Sequence, residues 1–447
     1  MTIQSPSAPP RRVTAFTATC LLISSVIGSG IFTTTGFLAR DIGHPMVILW
    51  LWVVGALFAL VGAMCYSELG AALPFVGGEY VYLRHAYHPL VAFLSGWSSF
   101  AVGFGAAIAA GAVSFSSYFF QLIPVPFRSD VLEKGLAIGL VWALTGVHMA
   151  GVGLGSLFQQ GITILKVALM GGFVVGAFTI GQGSFAHLDS EATAMPGVEA
   201  MFVSLIFVTY AYSGWNAAGY IAGEMLHPGR TIPVTMIGGT IFVGTLYVLI
   251  NLVYFYALPV SDLARVPVLP VAQKAAVALF GPTAAEFITA LLCISIAGAV
   301  SAMVWAGPRV YYAMAQDRVF PAFLAKLTQK GGVPARAILL QSLWVTLLIF
   351  SGTFEQLVIY SGVIVVSFSA LAVGAVLILR RKRPELSRPY RVPLYPFLPI
   401  SYLMLSTLIV LYTIQDRPVE AGWAMATVLA GVPLYLCRQT SWFKTAL

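Results

Sequence analysis

Charged residues are scarce in this sequence. Only 9% of its 447 residues are Asp, Glu, Lys or Arg, whereas 59% are hydrophobic and the mean hydropathy is +0.89. A soluble domain usually has about 25% charged residues, so this chain has too few to cover a surface that faces water. In lipid, apolar side chains can face outward while helices satisfy the backbone polar groups. The composition therefore predicts an integral membrane protein surrounded by the lipid bilayer.

Residues that bind metals or act as nucleophiles are also few. Cys20, Cys65, Cys293 and Cys437 lie in separate apolar segments, which is typical of small buried side chains. The six histidines form no H-x-x-x-H pair of the kind found in zinc enzymes. We therefore expect no enzymatic activity, no metal and no cofactor. The polar tail of residues 1–12 precedes an apolar run without a small-residue cleavage site, so we expect no removable signal peptide.

Apolar runs of about 20 residues recur along the chain, which is the length that a helix needs to cross a bilayer. The sequence predicts an all-α polytopic membrane protein with twelve transmembrane helices. The predicted spans are 13–38, 46–71, 90–121, 132–150, 155–181, 197–224, 231–258, 282–313, 334–352, 355–380, 394–414 and 419–438. The stretch 316–330 is short and polar, and we expect it to form a surface helix.

The basic residues are distributed unevenly between the two sides of the predicted bundle. If the N-terminus is cytoplasmic, 17 of the 24 lysines and arginines lie on the cytoplasmic side. The opposite side has six, and one lysine lies inside a span. This asymmetry predicts that both tails, 1–12 and 439–447, are cytoplasmic. It also explains the net charge of +8 without nucleic-acid binding.

Two predicted spans are interrupted by small and polar residues. Span one contains the sequence SSVIGSGIF at 24–32, and span six contains YAYSGWN at 210–216. Tight helix packing through small residues is one explanation. Because the interruptions occur at matching places in the first helix of each half, they favour an inverted repeat with broken helices at the membrane midplane. The repeats would be 13–181 and 197–380, with two added helices at 394–438.

Broken helices expose backbone groups that can bind a small zwitterion. The N-terminus of a half-helix presents free amides and a positive dipole end, which suit a carboxylate. The C-terminus of a half-helix presents free carbonyls, which suit an ammonium group. An α-amino acid has both groups, so the two breaks predict an amino acid site. The side chain of the ligand would face spans three, six, eight and ten.

Several motifs occur in an order typical of one family. Gly28–Phe32 reads GSGIF, and YSELG is followed by GGEY within 66–80. The YSGWN of 212–216 precedes GEM and PGRTIP within 223–233, and RPYRVP occupies 388–393. Together they resemble the amino acid–polyamine–organocation (APC) superfamily over nearly the whole chain, most closely the bacterial relatives of the L-type amino acid transporters. The resemblance implies a LeuT-like fold, alternating access and a place in the bacterial inner membrane.

The resemblance also implies roles for residues at the breaks. The amides of Ser29 and Gly30 would bind the carboxylate of the substrate. The backbone carbonyls of Val26, Tyr210 and Ser213 would bind its ammonium group.

Four further residues complete the predicted binding set. Ile27 and Gly28 belong to the opened stretch of span one. Asn216 would support the site through hydrogen bonds, and Trp215 would either contact the substrate or serve only in packing. Tyr210 stands where relatives have an aromatic gate, and we expect it to close over the substrate.

Lys166 is the one basic residue in the middle of a span. A buried ammonium is costly and needs a partner or a function, unless the side chain reaches the interface. The resemblance implies that Lys166 contacts the unwound part of span one, where sodium-coupled relatives hold a cation. Transport would then be independent of sodium. Exchange and proton symport both agree with this interpretation.

Small residues are predicted to line the side-chain pocket. These are Gly103 and Ala107 in span three and Val363 and Val366 in span ten, where relatives have bulkier groups. The sequence suggests no carboxylate beside the breaks, because the pattern assigns Glu68, Glu79 and Glu224 to cytoplasmic helix ends as gates or caps. We therefore expect neutral L-amino acids as substrates. A proton-coupled permease of broad or cationic specificity is the alternative.

A partner subunit is not expected. The eukaryotic L-type transporters bind an accessory glycoprotein through a cysteine in the loop after span three. The corresponding loop, 121–131, has no cysteine. An amino acid sensor is a further alternative, but it would favour an appended signalling domain, and no loop is long enough for one.

Overall fold

The structure, a computed structural model, describes residues 9–122, 129–189, 195–265, 270–329, 331–350 and 354–437, with side chains from Ser361 onward in the last range. Of the residues that the structure describes, 81% are helical and none lies in a β-strand. The predicted all-α class is confirmed.

The helices follow one another with short connections. In chain order they are α1 Ala15–Val26, α2 Gly30–Ile42, α3 Pro45–Ala72, α4 Glu79–Ala86, α5 Pro89–Ser98, α6 Gly105–Phe119, α7 Asp130–Met149, α8 Val152–Thr179, α9 Val198–Ala211, α10 Ala217–Tyr220, α11 Pro228–Ala257, α12 Val260–Ala264, α13 Val271–Phe280, α14 Thr283–Ala306, α15 Pro308–Gln316, α16 Ala335–Ile349, α17 Phe354–Lys382, α18 Phe397–Asp416 and α19 Pro418–Leu436. A π-helical segment, Ser99–Phe104, joins α5 to α6.

Ten helical segments among the described residues are long and apolar enough to cross a bilayer, with α1 and α2 counted as one. Each overlaps a predicted span. Two predicted spans have no such helix. In 197–224, α9 ends after 14 residues, and in 334–352, α16 has 15 residues. The number of twelve spans therefore stays a prediction.

Proline determines where several of these helices begin. Pro45, Pro89, Pro228, Pro308 and Pro418 each occupy the first or second helical position. The first turn leaves its amides without intrahelical acceptors, so the missing N–H of proline costs nothing there. The sequence thereby sets these helix starts locally.

The prediction of a surface helix at 316–330 is wrong. The described part of this segment has one 3-10 turn, Ala322–Ala325. Phe320 and Leu324 are buried, and the amide of Thr328 donates to the carbonyl of Val333, five residues further along the chain. Polar composition suggested an exposed helix, but Pro321 interrupts it and two apolar side chains anchor the loop against the bundle.

The N-terminal segment is bonded to the chain that follows the second interruption. The amides of Arg12 and Val13 both donate to the carbonyl of Glu224, at 2.8 and 2.9 Å. The amide of Leu226 in turn donates to the carbonyl of Val13 at 2.9 Å, and Val13 is 1% exposed. Three backbone hydrogen bonds thus attach the start of the described chain to residues 224–226.

Candidate functional site

The first helix is interrupted at 27–29, as the sequence predicts. α1 ends at Val26, and α2 begins at Gly30 with Ser29 as its N-cap. An α-helix leaves the first amides of its first turn without intrahelical acceptors. Ser29 makes no side-chain capping bond to those of α2. A Cβ at Gly30 would lie 2.8 Å from the Cα of Ala211. Glycine is required there because the two backbones cross at contact distance.

The second interruption lies at 212–216, between α9 and α10. Gly214 has φ +102, and a Cβ at this position would lie 2.8 Å from the carbonyl carbon of Ser25. Each break therefore packs directly against the other. After the second break, α10 has only four residues, and a 3-10 turn, Ala222–Glu224, follows it.

We expect Gly214→Ala to destabilise the protein and to slow transport at least about tenfold. Alanine at a positive φ costs about 1–3 kcal/mol, and its methyl group would push the two breaks apart. Counterflow rates and thermal unfolding in detergent measure both effects. Gly171→Ala is the matched control, because a Cβ at Gly171 meets nothing within 4 Å. Equal behaviour of the two variants would contradict the proposed close contact.

One cavity of about 130 Å³ lies beside both breaks. Nine of the residues predicted for the site line it. They are Val26, Gly28, Ser29, Gly30, Gly103, Ala107, Tyr210, Ser213 and Asn216. The structure thus brings the two breaks and span three to one place, although their function in binding stays a prediction.

Four residues of the predicted site do not line this cavity. Ile27 is fully buried in the core. Trp215 packs edge-on against Tyr66, with ring centroids 4.7 Å apart, and this contact agrees with the packing alternative. Trp215 and Val366 line a separate void of about 20 Å³.

Val363 does not line the cavity, contrary to the prediction, because it lies on a different face of α17. The residues of α17 that line it are Ser361, Ile364, Val365 and Phe368. Their spacing of i, i+3, i+4 and i+7 marks one face of the helix. Val363 and Val366 fall outside this face.

Residues 13–433 match the amino acid permease family. This chain belongs to that family. The match confirms the resemblance to the APC superfamily, and it makes the chain a multi-pass membrane transporter and not an enzyme.

Similar proteins include animal and bacterial transporters. The large neutral amino acids transporter small subunit 2 of Mus musculus is 28% identical over 93% of the permease and 78% of its own length. The b(0,+)-type amino acid transporter 1 of Homo sapiens is 27% identical, over 93% and 85%. The serine/threonine exchanger SteT of Bacillus subtilis is 29% identical, over 94% of both chains. Amino acid transport is therefore common to these relatives and supported for the permease.

Two of the three carbonyls predicted to bind an ammonium group already accept a hydrogen bond. The hydroxyl of Tyr247 donates to the carbonyl of Val26 at 2.8 Å. The amide of Ser213 donates to the carbonyl of Tyr210 at 2.9 Å. The amide of Gly28 also donates to the carbonyl of Val26, at 2.9 Å, so both lone pairs of this oxygen are already used.

Lys166 contacts the first break, as expected. It is 0% exposed, so it does not reach the membrane interface. Its Nζ donates to the carbonyls of Ser24 at 3.0 Å, Ile27 at 2.8 Å and Ser295 at 3.4 Å. No carboxylate of the described residues pairs with it. The ammonium group therefore holds the end of α1 and the middle of α14 together through backbone oxygens.

Glu79 corrects the expectation that no carboxylate lies beside the breaks. It is buried and lines the cavity. Its Oε1 accepts from the hydroxyl of Tyr66 at 2.7 Å, the Nδ2 of Asn216 at 2.8 Å and the hydroxyl of Ser369 at 3.5 Å. Asn216 thus supports the site through this carboxylate.

The two glycines before Glu79 are the sequence feature that could have predicted its position beside the cavity. Gly77 has φ +121 and Gly78 has φ +54. A Cβ at Gly78 would lie 2.5 Å from the ring of Tyr220. Paired glycines at positive φ indicate a close approach between chain segments, and here they bring Glu79 to the second break.

Glu68 and Glu224 form buried ion pairs instead. Glu224 pairs with Arg309 at 2.8 Å, and both side chains are 2% exposed. Glu68 pairs with Arg380 at 2.5 Å and accepts the amide of Val392 at 2.7 Å. These carboxylates connect separate helices away from the cavity.

Proposed function

We propose that the permease is a sodium-independent secondary transporter of neutral L-amino acids that works by alternating access, most simply as an exchanger. The observation that carries this proposal is the pair of interrupted helices crossing beside one cavity. The free amides at the start of α2 suit a carboxylate, and the carbonyls at 210–213 suit an ammonium group. The names of the relatives support amino acids as the class of substrate.

The proposal includes a LeuT-like architecture of twelve spans. Repeat one would be 13–181 and repeat two 197–380, with two further helices at 394–438. Both interruptions occur in the first helix of a proposed repeat, and each packs against the other, as expected for an inverted repeat. Both tails would be cytoplasmic in a bacterial inner membrane, and the bacterial exchanger among the relatives supports this location. We expect no disulfide-linked partner subunit.

Lys166 supports independence from sodium. Its ammonium group occupies the space between the carbonyls of Ser24, Ile27 and Ser295. A cation between α1 and α14 would need these same oxygens as ligands. The fixed positive charge therefore takes the position that a transported cation would have.

Counterflow in sodium-free liposomes tests the proposal. The purified protein is expected to take up labelled neutral amino acid into liposomes that contain the unlabelled compound, and to take up little into empty ones. Exchange needs an internal substrate, which explains the difference. Uptake that requires sodium would contradict the proposal, and so would the absence of uptake for every amino acid.

A proton-coupled permease of broad or cationic specificity is the second candidate, and Glu79 favours it. This buried carboxylate lines the cavity, where it could bind a proton or face a second ammonium group. Uptake into empty liposomes driven by a pH gradient, or faster uptake of lysine than of neutral amino acids, would favour this candidate.

A further inference from the structure

Span three lines the cavity with small residues at a regular spacing of four. These residues are Ser95, Ser99, Gly103, Ala107 and Gly111. The π-helical segment 99–104 lies within this stripe. A π-helical turn is wider than an α-helical turn, and such segments are frequent at functional sites. The stripe forms one wall of the cavity.

The two ends of this wall differ in polarity. Gly111 and Ala107 are apolar, and Ile296 and Val300 also line the cavity. A Cβ at Gly111 would lie 2.8 Å from Val300, which places that end of the stripe beside apolar residues of α14.

The other end of the wall is polar. Phe104 packs edge-on against Tyr220 with ring centroids 5.2 Å apart, and Asn216 donates to the hydroxyl of Tyr220 at 3.1 Å. Glu79 joins them through Asn216. The cavity therefore has polar groups directly beyond the second break, and Ser95 and Ser99 belong to the lining of the same cavity.

The hydroxyl groups of Ser95 and Ser99 have no hydrogen-bond partner among the described residues. Ser95 is 1% exposed, and Ser99 is partly buried. Other helical serines of the permease donate to the carbonyl one turn back, for example Ser67 to Ala63 at 2.7 Å. An unpaired hydroxyl in a buried position costs about 1–3 kcal/mol. The buried, unpaired hydroxyl of Ser95 indicates that something else pairs with it, and Ser99 lies one turn further along the same wall of the cavity.

Glu79 supplies an acceptor in the same cavity. Tyr66, Asn216 and Ser369 donate to its Oε1, and Tyr220 also forms a side-chain hydrogen bond with the carboxylate. No Lys or Arg of the described residues forms an ion pair with it. A ligand group that both donates and accepts hydrogen bonds fits two hydroxyls and a carboxylate. Hydroxyl and carboxamide groups have this property, whereas an alkyl side chain would leave the two serine hydroxyls without a partner.

We propose that the permease selects amino acids with a hydroxyl or carboxamide side chain, and that Ser95 and Ser99 determine this selectivity. The inference rests on the proposed function, since it assumes that the substrate is held at the breaks. It goes further by naming the class of side chain. Threonine and valine have the same shape and differ in one hydroxyl, so this pair isolates the hydrogen bonds from the size of the pocket.

The wild-type permease is expected to exchange threonine at least about tenfold faster than valine, because a site built to bind a hydroxyl rejects the analogue without it. The purified full chain would be assayed in sodium-free liposomes, with each labelled amino acid measured against its own internal pool. Ser99→Ala, Ser95→Ala and the double variant are expected to reduce the threonine-to-valine ratio to about threefold or less.

Ser98→Ala is the matched control. Ser98 is also buried with an unpaired hydroxyl, but it does not line the cavity. We expect its threonine-to-valine ratio to equal that of the wild type. If a Ser99 variant fails to fold, the wild-type ratio and Ser95→Ala still decide the question.

The other outcomes separate this inference from the proposed function. Valine exchanged as fast as threonine, or lysine faster than threonine, would overturn the inference and leave amino acid transport intact. An unchanged ratio in the Ser95 and Ser99 variants would overturn the role of these serines. Absence of counterflow for serine, threonine, asparagine, glutamine, alanine, valine, leucine and lysine would overturn the proposed function itself.

Discussion

Replacing Lys166 with alanine is expected to reduce counterflow at least about 100-fold. The variant removes the hydrogen bonds from Nζ to the carbonyls of Ser24 and Ile27, at 3.0 and 2.8 Å. Hydrogen bonds to a charged group contribute about 1.5–3 kcal/mol each, so the opened end of α1 would lose about 3 kcal/mol or more of local stabilisation. That loss corresponds to about two orders of magnitude in the occupancy of a competent site.

The effect on folding should be smaller than the effect on transport. Size-exclusion profiles in detergent and protein yield would measure the first, and counterflow in liposomes the second. Lys134→Ala is the control, because Lys134 forms a partly exposed i,i+4 pair with Asp130, and we expect it to transport at the wild-type rate. Wild-type counterflow by Lys166→Ala would remove the argument for its role at the first break.

Replacing Arg309 with alanine is expected to lower the free energy of unfolding by about 3–5 kcal/mol. The variant leaves the carboxylate of Glu224 buried without its partner, and an uncompensated buried charge has a cost of this size. Arg309 also donates to the carbonyl of Trp305 at 2.7 Å, so one more bond is lost. Unfolding in mixed detergent micelles measures the change.

A pair of controls tests whether charge is the cause. Arg417→Ala removes a half-exposed pair with Asp416 and should cost less than about 1 kcal/mol. Adding Glu224→Gln to Arg309→Ala should restore part of the lost stability, because the buried charge is then gone. If Arg309→Ala unfolds no more easily than Arg417→Ala, the buried pair contributes nothing to stability.

The interruptions could be predicted from the sequence because their cause is local. Gly28, Ser29 and Gly30 weaken an apolar helix by their own conformational preferences, and the YSGWN stretch does the same in the sixth span. The need of Lys166 for acceptors within the protein was also predictable, since it is a charge in the middle of an apolar run. Its contact with the first break was implied by the family resemblance alone.

The residues that line the cavity could not all be predicted from the sequence, because the lining depends on contacts between segments that are distant along the chain. Glu79 and Asn216 are 137 residues apart, yet they lie 2.8 Å from each other. The apolar sequence of α17 does not show which face meets the cavity, because neighbouring helices set the rotation of this helix, and Val363 lies outside that face. Ser95 and Ser99 gave no signal, since a serine in a helix usually bonds to its own backbone.

The attachment of the N-terminal segment has a mechanical consequence. The carbonyl of Glu224 accepts hydrogen bonds from the amides of residues 12–13, and its side chain forms an ion pair with Arg309 of α15. Residues 224–226 are therefore a junction between the segment before α1, the chain leaving the second break and the end of the long helical segment 283–316. None of these three can be displaced alone unless this junction first comes apart.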